Sequence, residues 1–338
     1  MNKYYSPSRR RTPWTDREGC TSVQSFIDMQ VQNLYEERHG KLSSSMEKEL
    51  FNSVTISQCR HCDSDRIVRN GKTSNGISRY ICRCCGKTFT PMTGTLFQDH
   101  RIPVDEWIDF CLQLFSDQSF LSISSSNRNS YSTTRYWVAK LALGLCGYDD
   151  HIVLEGDVYI DETYYSVIMR DRSTDESGRY KRGLSRDKHC IAIACDDRRT
   201  YCVLAGMGKP SQKRINEALK DHIAPGSRII HDGEKAHAML IRNLGCDDEV
   251  HPTAETKGLS DADNPLDPIN RKCAALKRFI RAHSGFNRSY FDQMLRLFSF
   301  IVNPPGNPYE KMEIAINRIL EIPNSLKFRD LFSNDDVD

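Results

Sequence analysis

No stretch of this 338-residue chain approaches the roughly 18 consecutive apolar residues that suggest a membrane-spanning helix. The first residues, MNKYYSPSRRRTPW, are basic but hold no apolar run of signal-peptide type, so the expected setting is the cytoplasm. An excess of one charge is also lacking. Lys and Arg number 47 against 45 Asp and Glu, so a formal net charge of +2 does not by itself declare a nucleic-acid binder. No internal repeat with a period of about 20–50 residues is present, which excludes solenoid and propeller arrays. With 38% apolar and 27% charged residues, the composition is that of an ordinary globular protein. The length allows two or three domains of about 100–200 residues each.

Cysteine, by contrast, is plentiful, with thirteen residues. The odd count and the absence of a signal segment argue against a disulfide framework. Four of them read Cys59-x2-Cys62-x19-Cys82-x2-Cys85, and paired C-x-x-C hooks at about this separation are the sequence form of a zinc ribbon. Each hook aims two thiolates at one point, and a tetrahedral Zn2+ closed by four sulfurs is structural rather than catalytic. Cys85 is preferred over Cys84 because it restores the two-residue gap. The remaining cysteines are scattered, many of them, such as Cys111, Cys190, Cys202 and Cys273, in apolar strings, and they read as small buried hydrophobes rather than a second metal site.

Charge is uneven along the chain. From Cys59 to Arg101 eight Lys and Arg face three Asp, and from Arg271 to Phe291 six Lys and Arg face no acid. Local basic surfaces of this kind can neutralise phosphates, and two in one chain point to nucleic acid.

Five segments follow from the pattern. Residues 1–58 are a basic, Ser-rich leader with a short amphipathic helix suggested by Val23, Phe26, Ile27 and Leu34. Residues 59–101 are the ribbon, with strands at Ile67-Val68 and Arg79–Ile81 and turn signals at Asn70-Gly71 and Asn75-Gly76. Residues 102–150 read as helix, polar break (SISSSNRNS) and second helix. That order suggests a helix-turn-helix with Ser132, Thr133, Thr134 and Arg135 at the start of the second helix. Residues 151–303 run strand, strand, strand, helix, strand, helix, strand, helix, an α/β plan with a mixed sheet and flanking helices. This order resembles a ribonuclease-H-like core. Residues 304–338 hold a helix, YEKMEIAINRIL, and an acidic tail.

Asp161 lies within the apolar strand VYIDETYY, where a carboxylate costs desolvation unless it meets a cation or donor. Asp232 ends the strand IIHDG, and the carboxyl ends of strands are where α/β sheets place their sites. Two acids brought together by adjacent strands repel, and a divalent ion such as Mg2+ resolves the repulsion. Asp157 and Glu155 are the local rivals of Asp161. In the helix LDPINRKCAALKRFIRAHSGF, Asn270 and Lys277 are seven residues apart and share one face, as in any basic amphipathic helix. His231 and His237 are near Asp232 and read as solvent-facing or packing residues rather than catalytic ones.

The string C-x2-C…RYICRCCGKTFTPMTGTLF…IPVDEW, then YIDETYY, IIHDG and PIN-x6-LKRFI-x2-HSGF, resembles the ISXO-like insertion-sequence transposases over about residues 59–302. The resemblance implies a zinc ribbon, a helical DNA-binding segment and a ribonuclease-H-like core of the DDE type. It makes Asp161 and Asp232 the two acids, Asn270 the third site residue where many such enzymes carry Glu, and Lys277 the basic residue one heptad later. The implied activity is nicking of transposon ends and transfer of the 3′-hydroxyl into target DNA. Mg2+ or Mn2+ would be held by Asp161, Asp232 and Asn270, with Zn2+ in the ribbon. Arg135, Lys277, Arg278 and Arg281 would contact double-stranded DNA, and pairing of two ends implies a homo-oligomer acting on DNA at the nucleoid. Two rival readings are a zinc-ribbon DNA-binding regulator without catalysis and a hydrolytic nuclease of the same fold.

Overall fold

A computed structural model describes residues 23, 26–27, 29–30, 33, 44–98, 104–167, 172–174, 176–180, 187–283, 286, 290–321 and 326–332. Val23, Phe26 and Ile27 of the expected leader helix are helical and exposed, and Leu34 lies outside the described residues. The chain divides into two units, Met1–Gly144 with Pro308–Asp338, and Leu145–Asn307.

The first unit begins with helix α1 (Ser44–Ser53), whose Asn52 donates to the Gly76 carbonyl (3.1 Å) and accepts from the Ser78 amide (2.8 Å). That side chain ties the helix to an antiparallel sheet of β1 (Ile67–Lys72), β2 (Ser78–Cys82) and β3 (Thr88–Phe89). The expected turn at Asn70-Gly71 is instead a break in register inside β1, between Arg69 and Lys72, with Gly71 at φ +73°. An extra residue with positive φ bends a strand without ending it. The chain reverses over Thr73–Ile77, closed by Thr73 N–H to the Ile77 carbonyl at 2.8 Å.

Three helices follow: α2 (Val104–Phe115), α3 (Phe120–Ser126) and α4 (Tyr131–Gly144). The polar break read from SISSSNRNS therefore holds most of a helix. Ser119 caps it by accepting from the Ser122 amide (3.2 Å), and Phe120 and Ile123 are fully buried. Two well-placed apolar residues and a cap outweigh the low helix propensity of serine. Ser132 to Arg135 form the first turn of α4, as expected, with the Thr133 amide donating to Ser130 Oγ at 3.1 Å.

In the second unit, β4 (Asp157–Ser166), β5 (Lys188–Cys195) and β6 (Thr200–Met207) form an antiparallel meander. Helix α5 (Gln212–Leu219), strand β7 (Arg228–His231), helix α6 (Ala238–Leu244) and strand β8 (Asp247–Val250) follow. The sheet order is β6-β5-β4-β7-β8, with β4–β7 and β7–β8 parallel. Helices α7 (Asp267–Ala282) and α8 (Phe291–Val302) complete the unit. This is the mixed α/β plan, a mixed sheet with flanking helices, expected from the order of elements.

Alternation along the strands assigns two faces. Val158, Ile160, Cys190, Ala192, Ala194, Tyr201, Ala205 and Ile229 form one core with Ile215 and Leu219 of α5 and Leu240 and Ile241 of α6. The odd-numbered residues of β4 look the other way, towards α7 and α8, where Tyr165 meets Phe291 with ring centroids 5.4 Å apart. The unit also includes residues ahead of the first strand: Tyr148 packs edge-on to Phe300, and Asp149, nearly buried, accepts from Arg296 Nη1 at 2.9 Å. The chain then returns to the first unit with α9 (Pro308–Glu321), which packs on α2 and α4, and α10 (Phe328–Phe332).

A fragment of residues 145–307 should therefore unfold cooperatively. A fragment starting at 154 should be less stable by about 3 kcal/mol, the cost of leaving a largely buried ion pair with one partner. Urea denaturation of the two fragments checks both expectations.

Candidate active site and metal centre

The last paired residues of the parallel strands β4 and β7 are Tyr159 and Ile230. Two residues on, the same register sets Asp161 opposite Asp232, both on the face towards α7. Asp232 stands where β7 gives way to a turn. Its Oδ1 accepts from the Glu234 amide at 3.0 Å, and the next residue must be glycine. Gly233 has φ +88°, and a Cβ there would lie 3.0 Å from Val250 Cγ1.

Asp161 is largely enclosed. Burial pushes its carboxyl above the usual range, opposed by hydrogen bonds from Cys273 and the Glu162 amide, while the charges of Glu162 and Asp232 push further upward. Oδ1 accepts from the Glu162 amide (2.7 Å) and Oδ2 from Cys273 Sγ (3.3 Å). Burial pushes the Cys273 thiol up as well, so it stays S–H and donates.

Cys273 also fixes the aspect of α7. It lies three residues after Asn270 and four before Lys277, on one helical stripe that Arg281 continues. Because the Cys273 thiol meets Asp161, the stripe bearing the exposed Asn270, Lys277 and Arg281 is the one on the side of the acids. Lys277 acts electrostatically on the Cys273 thiol. Arg278 is exposed about 80° round the helix from Asn270, and Arg135 belongs to α4 of the first unit. The rival acids are placed elsewhere. Asp157, at the opposite end of β4, accepts from Arg228 Nε (2.8 Å), which holds its carboxyl below the usual range. Glu155 precedes the strand and is exposed. Asp267, one turn before Asn270 on α7, is not a rival of Asp161 and pairs with Arg271 along the helix at 2.7 Å.

The donor set suits a hard divalent cation. Two carboxylates at matching strand ends, an amide one helical face away and no enclosing cage leave room for phosphate oxygens, the usual arrangement for Mg2+. Two contributors were not singled out from the sequence. Cys273 read as a buried hydrophobe, although its i+3 and i−4 spacing to Asn270 and Lys277 was visible. Glu162 was passed over, although it is a charged residue on the apolar phase of β4.

The second cluster is Cys59, Cys62, Cys82 and Cys85, whose sulfurs all lie within 4.8 Å of one another, with Cys59–Cys85 and Cys62–Cys82 at 3.7 Å. The hooks are built alike. His61 N–H points at Cys59 Sγ (3.4 Å) and Cys84 N–H at Cys82 Sγ (3.3 Å), and Asp63 (φ 57°) and Gly86 (φ 70°) close the two turns. The Cys85 amide first, then that of Cys84, pull the Cys82 thiol down to about 6. Four sulfurs so placed fit a tetrahedral ion such as Zn2+, and Cys84 is exposed outside the cluster. Among the described residues no cysteine is in a disulfide.

Two outcomes follow. The ribbon core is small, with Cys59, Cys82 and Phe89 its buried members, so Cys59→Ser should melt β1–β3 while β4–β8 keep their amide-exchange protection. Asp161→Asn should raise stability by about 0.5–2 kcal/mol, as relief of a repelling site does. A carboxyl whose folded pKa is raised destabilises the fold once it ionises. The gain should therefore be present at neutral pH and fade below about pH 4, where Asp161 is protonated folded or unfolded, as thermal melts against pH would record.

Residues 153–303 match the family model described as ISXO2-like transposase domain. A protein of Halobacterium salinarum, described as an uncharacterized protein in transposable element ISH50, is 25% identical over 286 residues, covering 78% of this chain and 90% of that protein. Among solved structures, the Mos1 mariner paired end complex with Mn is similar at a TM-score of 0.29 and 13% identity, over 63% of this chain and 74% of that one. A pre-cleavage Mos1 transpososome scores 0.22 at 12% identity, over 68% and 83%. The segment that carries Asp161, Asp232 and the α7 stripe is thus the part of this chain that is similar to the ISXO2-like transposase domain.

Proposed function

We propose that this protein is an insertion-sequence transposase that nicks transposon ends and joins the freed 3′-hydroxyl to target DNA. The observation that carries the reading is the register of β4 and β7, which sets Asp161 and Asp232 side by side facing the Asn270–Lys277 stripe. Asp161, Asp232 and Asn270 hold divalent metal. Mg2+ or Mn2+ bound there supplies Lewis-acid stabilisation of the attacking and leaving oxygens. Asn270 adds a neutral amide oxygen where a carboxylate would add charge, so the two aspartates carry the electrostatic load. Lys277 holds a phosphate beside the acids as a point charge, and Arg278 and Arg281 continue the contact along the DNA backbone. The four-cysteine cluster takes Zn2+ and, with α4 and Arg135, grips the transposon ends. Two copies act together, since two ends are joined in one reaction, and the work is done on DNA in the cytoplasm.

A regulator without catalysis leaves two apposed, partly buried acids without a purpose, and a hydrolytic nuclease differs only in the second step. A strand-transfer assay with the DNA flanking the gene separates the three. Wild type should nick and join with Mg2+ or Mn2+, and Asp161→Ala and Asp232→Ala should lower the rate by at least about 100-fold. Lys277→Ala should weaken DNA binding and reduce its salt dependence. Cleavage without joining would favour the nuclease. No cleavage, with wild type equal to Asp161→Ala, would remove the enzymatic reading.

A further inference from the structure

Behind the two acids, on the opposite face of the sheet, four side chains form an unbroken chain of hydrogen bonds. Glu162 Oε1 lies 2.8 Å from His237 Nε2, His237 Nδ1 lies 2.8 Å from His231 Nδ1, and His231 Nε2 lies 2.9 Å from Asp248 Oδ1. The His237 side chain is fully buried, those of Glu162 and His231 are each 5% exposed, and only Asp248 reaches solvent. Three buried polar groups are costly unless each is bonded, and every ring nitrogen here has a partner.

The geometry fixes the direction of the bonds. The Gly233 amide points at His231 Nδ1 from 3.2 Å, so that nitrogen is an acceptor and the ring proton sits on Nε2, donated to Asp248. His237 must then donate from Nδ1 to His231, and one proton bridges His237 Nε2 and Glu162.

Two members of this chain are each one residue from one of the acids. Glu162 follows Asp161 on β4 and His231 precedes Asp232 on β7, so strand alternation sends the acids to the front and their neighbours to the back. The Gly233 amide adds a further tie immediately after Asp232. Asp161 and Asp232 repel, and β4 and β7 have no ladder pair beyond Tyr159 and Ile230. The chain crosses from β4 to β7 at the level where that ladder has run out. We infer that Glu162, His237, His231 and Asp248 are positioning residues that hold the ends of β4 and β7 together, so that Asp161 and Asp232 stay close enough to share a divalent cation. This rests on the metal-binding reading of the two aspartates.

The test is Mn2+ binding to the full chain by electron paramagnetic resonance, together with transposon-end nicking titrated with Mn2+. The proteins are wild type, Asp161→Asn, Glu162→Ala, Glu162→Gln and His237→Phe. Loss of an outer partner of a metal ligand weakens metal binding by about 10–100-fold. Glu162→Ala and His237→Phe should weaken Mn2+ by that factor and recover nicking at saturating Mn2+, a separation that general unfolding does not give. Glu162→Gln, whose amide can still donate to His237, should stay within about threefold of wild type, in line with the ordinary strength of a neutral bond. Long-range 1H–15N spectra of the wild-type rings should show His231 protonated at Nε2 and His237 at Nδ1, a result that does not depend on how the variants fold. Unchanged Mn2+ affinity in Glu162→Ala and His237→Phe, with Asp161→Asn impaired, would overturn the positioning role alone, as would a His231 ring protonated at Nδ1. Equal Mn2+ binding by wild type and Asp161→Asn would overturn the metal site and the positioning role with it.

Discussion

The parallel pairing of β4 with β7 is the constraint on which the rest of the second unit depends. It sets Asp157 against Arg228 at one end, where opposite charges attract, and leads to Asp161 against Asp232 at the other, where like charges repel. The favourable end anchors the register, and the unfavourable end is where the proposed cation would sit. A slip of one residue would turn Asp161 into the apolar core with Val158 and Ile160, so the hydrophobic pattern of β4 guards the position of its acid.

Everything around that pair follows from strand alternation. The front face receives α7, whose Cys273 meets Asp161 and so presents Asn270 and Lys277 on the same side. The back face receives the 3-10 turn Lys235–His237 and α6, and with them the buried histidines beside Glu162. A site that concentrates negative charge at two strand ends is unstable by itself. It is sustained by a thiol and backbone amides in front and by a hydrogen-bonded chain behind.

Much of this was legible beforehand. The C-x-x-C spacing identified the sulfur cluster and favoured Cys85 over Cys84, and the order of elements gave the mixed sheet with its helices. Misreadings arose where local chemistry competed with packing. Asn70-Gly71 has the chemistry of a turn, yet the hairpin closes over Thr73–Ile77 and the dipeptide is absorbed as an irregularity in β1. SISSSNRNS has the composition of a break, yet Phe120 and Ile123 find a core and Ser119 a cap. The helix YEKMEIAINRIL, read as a C-terminal helix, packs on α2 and α4, a long-range contact that no local pattern encodes.

By itself the sequence determined the residue types and their phase: which cysteines are paired by spacing, which carboxylates end or interrupt an apolar strand, and which amide and cation share a helical face. Those properties are local, set by the two-residue period of strands and the 3.6-residue period of helices. Tertiary structure alone decided which strand ends are neighbours, which side of α7 meets Asp161, and that His231 and His237, read as solvent-facing or packing residues, join Glu162 and Asp248 in one chain. Those are contacts between residues as many as 112 positions apart, and only the closing of the sheet brings them within bonding distance.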